Sequence, residues 1–256
     1  MQGYIVRAGL VPGSAHKRKN FNNQDAYVLH EVQIGGTAYL FGAVFDGCTG
    51  GKGSRTEVGA VLLSRFFRSE IPLILSAHTP IQEVPATLYQ RSVGYFGAIV
   101  RSTVTGDAEE MWTFVQNHLL CTVVGFITDG ATLVVFSAGD GVIVHNENVI
   151  VIEQDDKPTY LGLHLIDRRM IPEGVVIPNS FDVITVPMNE VDRFAVATDG
   201  LSREQKADPS FNIDGIWLNE RASKAGLQWW LNIGSNIDHR FSDDCAIIAF
   251  ERTIPD

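Results

Sequence analysis

Antiparallel β-sheets covered by helices, an α+β arrangement, are expected from how apolar runs are distributed along these 256 residues. Short runs rich in β-branched and aromatic residues come in one block, instead of alternating singly with helices. Asp129-Gly130 and Asn146-Glu147-Asn148 separate neighbouring runs at hairpin spacing. Helical periodicity is confined to two regions, residues 55–118 and 215–234. No repeat, low-complexity stretch or linker divides the chain, so residues 1–256 read as one domain.

Residues 1–52 read as strands and turns. Residues 55–75 read as a helix, with Val58, Val61, Leu62 and Phe66 on one face at 3.6-residue spacing. Pro72 should end or kink it, because proline lacks the amide hydrogen and clashes with the preceding turn. A second helix fits 81–101, where Val84, Leu88 and Tyr95 share a face, and a shorter one fits 107–118. Thr122–Thr128, Ala131–Ser137, Gly141–His145 and Val149–Glu153 follow as strands. Residues 154–180 carry Pro158, Pro172 and Pro178 with Gly162 and Gly174, an irregular excursion long enough to be functional. Strands resume at 181–186 and 193–198. A last helix covers 215–234, its Trp229 and Trp230 assigned to the core, before a final strand at 245–251.

Composition narrows the function. Hydrophobic residues make up 45% and charged residues 20%, enough for a sizeable core and against disorder. Net charge is −10, and the one dense basic cluster, His16-Lys17-Arg18-Lys19, is too small for a nucleic-acid surface. Cys48, Cys121 and Cys245 are far apart and form no C-x-x-C pair, which excludes a zinc ribbon or disulfide framework and fits a reducing, cytoplasmic setting. Met1-Gln2-Gly3-Tyr4 does not open a signal peptide. No uncharged apolar stretch reaches the ~18 residues needed to span a membrane.

Four of the apolar runs touch an acidic residue. Asn23-Gln24-Asp25 leads into Ala26–Leu29, and Tyr39–Phe45 ends in Asp46-Gly47. Arg193–Thr198 ends in Asp199-Gly200, and Ser242-Asp243-Asp244 leads into Cys245–Phe250. An aspartate at a strand end is held rigidly yet faces the rim of a sheet. Several brought together make an all-oxygen cage, which suits Mg²⁺ or Mn²⁺ and not Zn²⁺. Each motif alone also reads as a tight turn, where Asp and Gly are common. The loop after Asp46 is not a P-loop: Lys52 has Asp46 six residues before it and Gly53 after it. Adjacent Asp243 and Asp244 repel, which favours a cation nearby.

Taken in order, these motifs resemble the metal-dependent type 2C Ser/Thr protein phosphatases, in the form of a divergent microbial branch. The resemblance runs from Gly13 to Phe250. It is carried by Gly13-Ser14-Ala15-His16 through Asn23-Gln24-Asp25-Ala26 and by Val44-Phe45-Asp46-Gly47-Cys48-Thr49-Gly50-Gly51. It continues through Cys121-Thr122-Val123-Val124, Ser137-Ala138-Gly139-Asp140-Gly141, Ala197-Thr198-Asp199-Gly200-Leu201 and Ser242-Asp243-Asp244.

The resemblance implies a β-sandwich of two antiparallel sheets flanked by helices, four layers in the order α/β/β/α. It implies two Mn²⁺ or Mg²⁺ ions, with Asp46 bridging both, the Gly47 carbonyl on one, and Asp199 and Asp243 on the other. Gln24 stands where many relatives have Glu, Asp25 follows it in the outer layer, and Asp244 closes the acidic set. The activity implied is hydrolysis of phospho-Ser or phospho-Thr on a protein, the product of a partner kinase. A regulatory or binding module without catalysis is the alternative.

Several positions depart from the family pattern. Cys48 or Thr49 replaces a loop histidine, and Cys48 reads as small filler, not a nucleophile. Asn20 stands at the usual phosphate-binding arginine, which makes neighbouring Arg18 the candidate phosphate contact, with Lys19 and His16 behind it. His16 alone reads as a polar surface residue, and Asp140 as part of a structural turn. Asn117 and His118 stand where a third-ion aspartate would be expected, so a third ion is not expected.

Overall fold

The computed structural model describes residues 3–48, 54–154, 159–171, 173–217 and 226–253. The chain opens with strand β1 (Tyr4–Val11), a short helix α1 (Ser14–Lys19), and strands β2 (Ala26–Ile34) and β3 (Thr37–Gly47). Helices α2 (Glu57–Ser76), α3 (Val84–Thr103) and α4 (Ala108–His118) follow. Next come β4 (Cys121–Thr128), β5 (Thr132–Ala138), β6 (Gly141–His145) and β7 (Asn148–Ile152). The chain ends with β8 (Asp182–Pro187), β9 (Arg193–Ala197), α5 (Gly200–Ala207), α6 (Gly226–Asn236) and β10 (Cys245–Arg252).

The strands form two antiparallel five-stranded sheets, ordered β1-β10-β9-β6-β7 and β2-β3-β4-β5-β8. Hairpins β2–β3, β4–β5 and β6–β7 arise from local turn chemistry. Gly35 and Gly36, at φ 58° and 87°, supply the left-handed pair that a two-residue hairpin needs. Between the sheets, Phe126 of β4 meets Phe194 of β9 and Phe250 of β10, with centroids 5.5 and 5.3 Å away. All three rings are essentially fully buried, each contributing about 2–3 kcal/mol of burial free energy. α2, α3 and α4 cover the outer face of the β3 sheet, and α5 and α6 cover that of the β10 sheet. β4 is therefore buried at every position, which is why its sequence is a continuous apolar run without alternation.

Several expectations need correction. Pro72 does not end α2, which continues to Ser76 with Ile74 and Leu75, beyond the proline, buried in the core. The deepest face of α2 carries Leu63, Phe67 and Ile71, not Val58, which is exposed. Val61, Leu62 and Phe66 pack on its flank, where Phe66 stacks on Tyr95 of α3 at 4.4 Å and 10°. α2 has two adjacent apolar stripes, and periodicity alone does not say which is deeper. Of the two tryptophans, Trp230 packs against Phe211 and Phe241, whereas Trp229 is 60% exposed. The expected 215–234 helix is helical only from Gly226: its start falls in a 3₁₀ turn at Ile213–Ile216, and residues 218–225 lie outside the described residues. The excursion at 154–180 is irregular as expected, with short 3₁₀ turns at Leu161–Leu165 and Arg168–Met170.

Candidate metal centre

The two sheets deliver their acidic strand ends to one end of the sandwich. Asp46 is the next-to-last residue of β3, opposite Thr122 of β4. β9 and β10 are antiparallel neighbours with Ala197 opposite Ile247, so Asp199 after β9 and Asp243 before β10 emerge together. The Thr198 amide donates to the Ala246 carbonyl (3.0 Å) and closes this junction. Asp46, from the other sheet, lies against Asp199, close enough for the two carboxyls to shift each other's protonation.

α5 starts directly on this junction. A Cβ at Gly200 would collide with the Asp244 carbonyl oxygen, so the close start of α5 requires glycine. One turn later Arg203 reaches back over the acids. Its Nε donates to Asp199 Oδ2 (2.8 Å), and a terminal nitrogen lies 2.7 Å from Asp243 Oδ2.

Burial and mutual repulsion set the electrostatics. Burial pushes Asp46 well above the ordinary carboxylate range, and the charges of Asp25, Asp199 and Asp243 push it further. Asp25 is raised by burial too, against the lowering effect of its bond from Thr198. Asp199 is raised by burial, and Arg203 pulls it back. Asp140 is pushed up to about 6 by burial and by Asp199, and its Oδ1 is buried with no partner among the described residues. Asp140 thus belongs to the acidic set and is not merely a turn residue.

A second layer holds the carboxylates in place. The Asp244 carboxylate accepts from the Gly13 amide (2.6 Å), the Gln24 amide (2.6 Å) and His16 Nδ1 (2.8 Å). Ligand atoms of His16, Asp243 and Asp244 lie within 4.8 Å of one another. Both Asp244 oxygens also accept from nitrogen donors, so Asp244, expected among the metal residues, braces the β1–α1 turn against β10. Asp25 Oδ2 accepts from Thr198 Oγ1 (2.6 Å), tying β2 to β9. The Gln24 carbonyl accepts from the Gly47 amide (3.1 Å), which fixes the end of β3.

The structure thus brings together Gln24, Asp25, Asp46, Gly47, Asp199, Asp243 and Asp244. It does not bring in Arg18. That side chain is exposed on α1 and makes no hydrogen bond or ion pair with the described residues, while Lys17 anchors α1 to Ser235 and Asn236. The cation on the carboxylates is Arg203, which sequence reasoning missed. The signal was its place four residues after Asp199, one helical turn. His16 is buried, not a surface residue, because Asp244 takes its ring nitrogen. Thr49, Gly50 and Gly51 of the glycine-rich loop lie outside the described residues.

Burial holds the Cys48 thiol above its ordinary range, although Tyr160 hydrogen-bonds it in the opposing direction. A neutral thiol is a poor nucleophile. Cys48→Ser should therefore change turnover less than about tenfold, roughly 1.4 kcal/mol in barrier. Complete loss in that variant, with rapid inactivation of the wild type by iodoacetamide, would move the chemistry to sulfur.

The donor set fits a hard divalent cation: Asp46, Asp199, Asp243 and the partnerless Asp140 oxygen offer only oxygen, in a crowd that repels itself without positive charge. Solved structures share this architecture. The chain superposes on a bacterial serine phosphatase with TM-score 0.61 at 15% identity, covering 98% of each chain. It superposes on the Ser/Thr phosphatase Stp1 from Staphylococcus aureus with TM-score 0.58 at 13% identity, over 97% of this chain and 95% of that one. The catalytic domain of the Ser/Thr phosphatase PstP, solved with two manganese ions, gives TM-score 0.57 at 14% identity, over 98% and 99%. At such identities these likenesses show the fold alone. No curated protein sequence matches. The sequence profile of protein phosphatase 2C, however, matches residues 12–232, most of the chain including Asp46 and Asp199. The chain belongs to the protein phosphatase 2C family, the metal-dependent Ser/Thr phosphatases.

Proposed function

We propose that this chain dephosphorylates phospho-Ser or phospho-Thr proteins, the products of a partner kinase, as part of cytoplasmic signalling, with two Mn²⁺ or Mg²⁺ ions held at the strand ends. The observation that carries this reading is the meeting of Asp46 from one sheet with Asp199 and Asp243 from the other. Among the described residues no helix is long and apolar enough to cross a membrane.

In this reading Asp46, between the sheets, would be shared by both ions, with the Gly47 carbonyl on one, and Asp199 and Asp243 would hold the other. Gln24, Asp25 and Asp244 keep those strand ends in register through Gly47, Thr198 and the Gly13 turn. Ions bound there supply an ionised water near neutral pH and neutralise charge on the phosphoryl oxygens. Arg203 and Lys206 line a cavity of about 350 Å³ beside Asp199 and Asp140, and give an incoming phosphoryl dianion positive donors on a chain of net charge −10. One feature favours the binding-module alternative: Arg203 already pairs with two of the ligands. Hydrolysis of a phosphothreonine peptide beside p-nitrophenyl phosphate decides between them. Turnover should require Mn²⁺ or Mg²⁺ and vanish with chelator. Undiminished turnover in excess EDTA after dialysis, or Mn²⁺ binding without any turnover, sinks the reading.

The raised carboxylates also predict how metal and pH combine. A carboxyl whose folded pKa lies above its unfolded value contributes stability at low pH, and loses it as pH rises through the folded pKa. For Asp140 that window runs from about 4 to about 6, and Asp25, Asp46 and Asp199 shift in the same direction. Divalent cations replace the lost protons. The rise in Tm on adding Mn²⁺ to chelated protein should therefore be larger at pH 7.5 than at pH 5. An equal rise at both would separate the metal from these carboxylates.

A further inference from the structure

Among the described residues, twelve large apolar side chains are exposed, and five of them crowd one rim of the sandwich. These are Val149, Ile150 and Val151 on β7 and Val183 and Ile184 on β8. Among the described residues β7 and β8 are edge strands of different sheets, and residues of both line one cleft. Their sequences, Asn148–Ile152 and Asp182–Pro187, hold one charged residue between them. Natural edges are usually guarded with charge, bulges or cover. Between the two strands lies a cleft of about 180 Å³, walled by Ile150, Ile152 and Ile184 over Phe136. It has room for an aliphatic side chain or two, but not for a helix about 10 Å across.

The cleft adjoins the carboxylate cavity across a shared wall residue. Ile152 lines both. Ser137 and Asp182 line the cleft and also a wider cavity of about 650 Å³ beneath the 159–181 excursion. Gln154 lines both that wider cavity and the carboxylate cavity. Strand register gives the scale. Ile150 is opposite Ile143, and Ile143 is opposite Val196, three residues before Asp199. The cleft is thus roughly 10 Å back along the strands and roughly 10 Å to the side, a diagonal that about four residues of extended chain cover.

Resting on the phosphatase reading above, we propose that the β7–β8 rim binds the flank of the substrate as an extended segment. It selects an aliphatic side chain about four residues from the phosphorylated Ser or Thr. Edge strands recognise extended segments through free backbone groups, and side-chain pockets add selectivity. The cleft shares Ile152 with the carboxylate cavity, about four residues of extended chain away, which favours the substrate's own flank over a second copy of the chain.

The test uses phosphothreonine peptides with Ile, or Ser, four residues before or after the phosphothreonine, with p-nitrophenyl phosphate as a substrate that cannot reach the rim. The wild type should prefer an Ile peptide. Ile150→Asp and Ile184→Asp should each lower kcat/KM for it by about tenfold, the scale of losing one partly buried aliphatic contact. Both variants should hydrolyse p-nitrophenyl phosphate at the wild-type rate, and both residues are exposed enough to be replaced without unfolding the sandwich. Anisotropy of the labelled Ile peptide on chelated protein reads binding without turnover and should fall in the variants. Equal kcat/KM and equal binding for Ile and Ser peptides overturn the rim inference and leave the phosphatase reading intact. Rim-dependent binding without hydrolysis of any substrate keeps the inference and ends that reading. Dimers that Ile184→Asp dissociates, with peptide binding unchanged, make the rim a self-interface and overturn the inference.

Discussion

Asp46→Asn should cost at least about 10³ in Mn²⁺-dependent turnover, roughly 4 kcal/mol of barrier, the largest effect expected of any single change. Asp46 comes from the end of β3 to meet Asp199 from the other sheet, so it would be shared between ions held from both sides. Asparagine keeps the shape and can still donate to Asp199, so the fold has no reason to suffer. The chelated variant should be at least as stable as chelated wild type, because the substitution removes a carboxyl from a self-repelling cluster. Thermal unfolding in EDTA and a turnover assay in Mn²⁺ check both halves. Near wild-type activity with unaltered Mn²⁺ binding would show that Asp46 is not a ligand. Lost activity with a collapsed Tm would show that it is chiefly structural.

Much of this arrangement is legible in the sequence because it is local. β4, β5, β6, β7 and β9 fall within a residue or two of the expected strands, since apolar runs bounded by Asp129-Gly130 or Asn146-Glu147 leave little choice. The acidic strand ends are equally plain. What escapes is set by contacts distant in sequence, or hidden in a motif that reads as a turn. His16 is buried because Asp244, 228 residues away, takes its ring nitrogen. Asp140 read as a turn because a hairpin and a crossing between sheets look alike in sequence, yet β5 and β6 belong to different sheets. α5 is eight residues long and begins at the glycine of Asp199-Gly200, where a turn seemed enough. Missing α5 meant missing Arg203. Arg18 is the candidate in the sequence because it is basic and stands close to Asn20, whereas helical spacing from Asp199 is what leads to Arg203.

Arg203→Ala should move two observables in opposite directions. In the chelated protein the guanidinium holds Asp199 and Asp243 together, so it competes with a cation for the same oxygens. Removing it should tighten Mn²⁺ binding several-fold, measured by calorimetry, because two proposed ligands lose a fixed positive partner. A phosphopeptide, in contrast, loses the cation nearest the carboxylates, and its kcat/KM should fall at least about tenfold, the scale of one charged hydrogen bond. Arg203→Lys should recover part of that loss and not all of it, since an ammonium cannot donate to two oxygens in the fixed fork of a guanidinium. Arg18→Ala, on exposed α1, should change kcat/KM less than Arg203→Ala does. Unchanged Mn²⁺ affinity and unchanged kinetics for Arg203→Ala would reduce its two ion pairs to surface contacts. A larger kinetic loss from Arg18→Ala would return phosphate recognition to α1. Tighter metal binding together with weaker turnover is the signature that separates a phosphate-binding arginine from one that only keeps empty carboxylates apart.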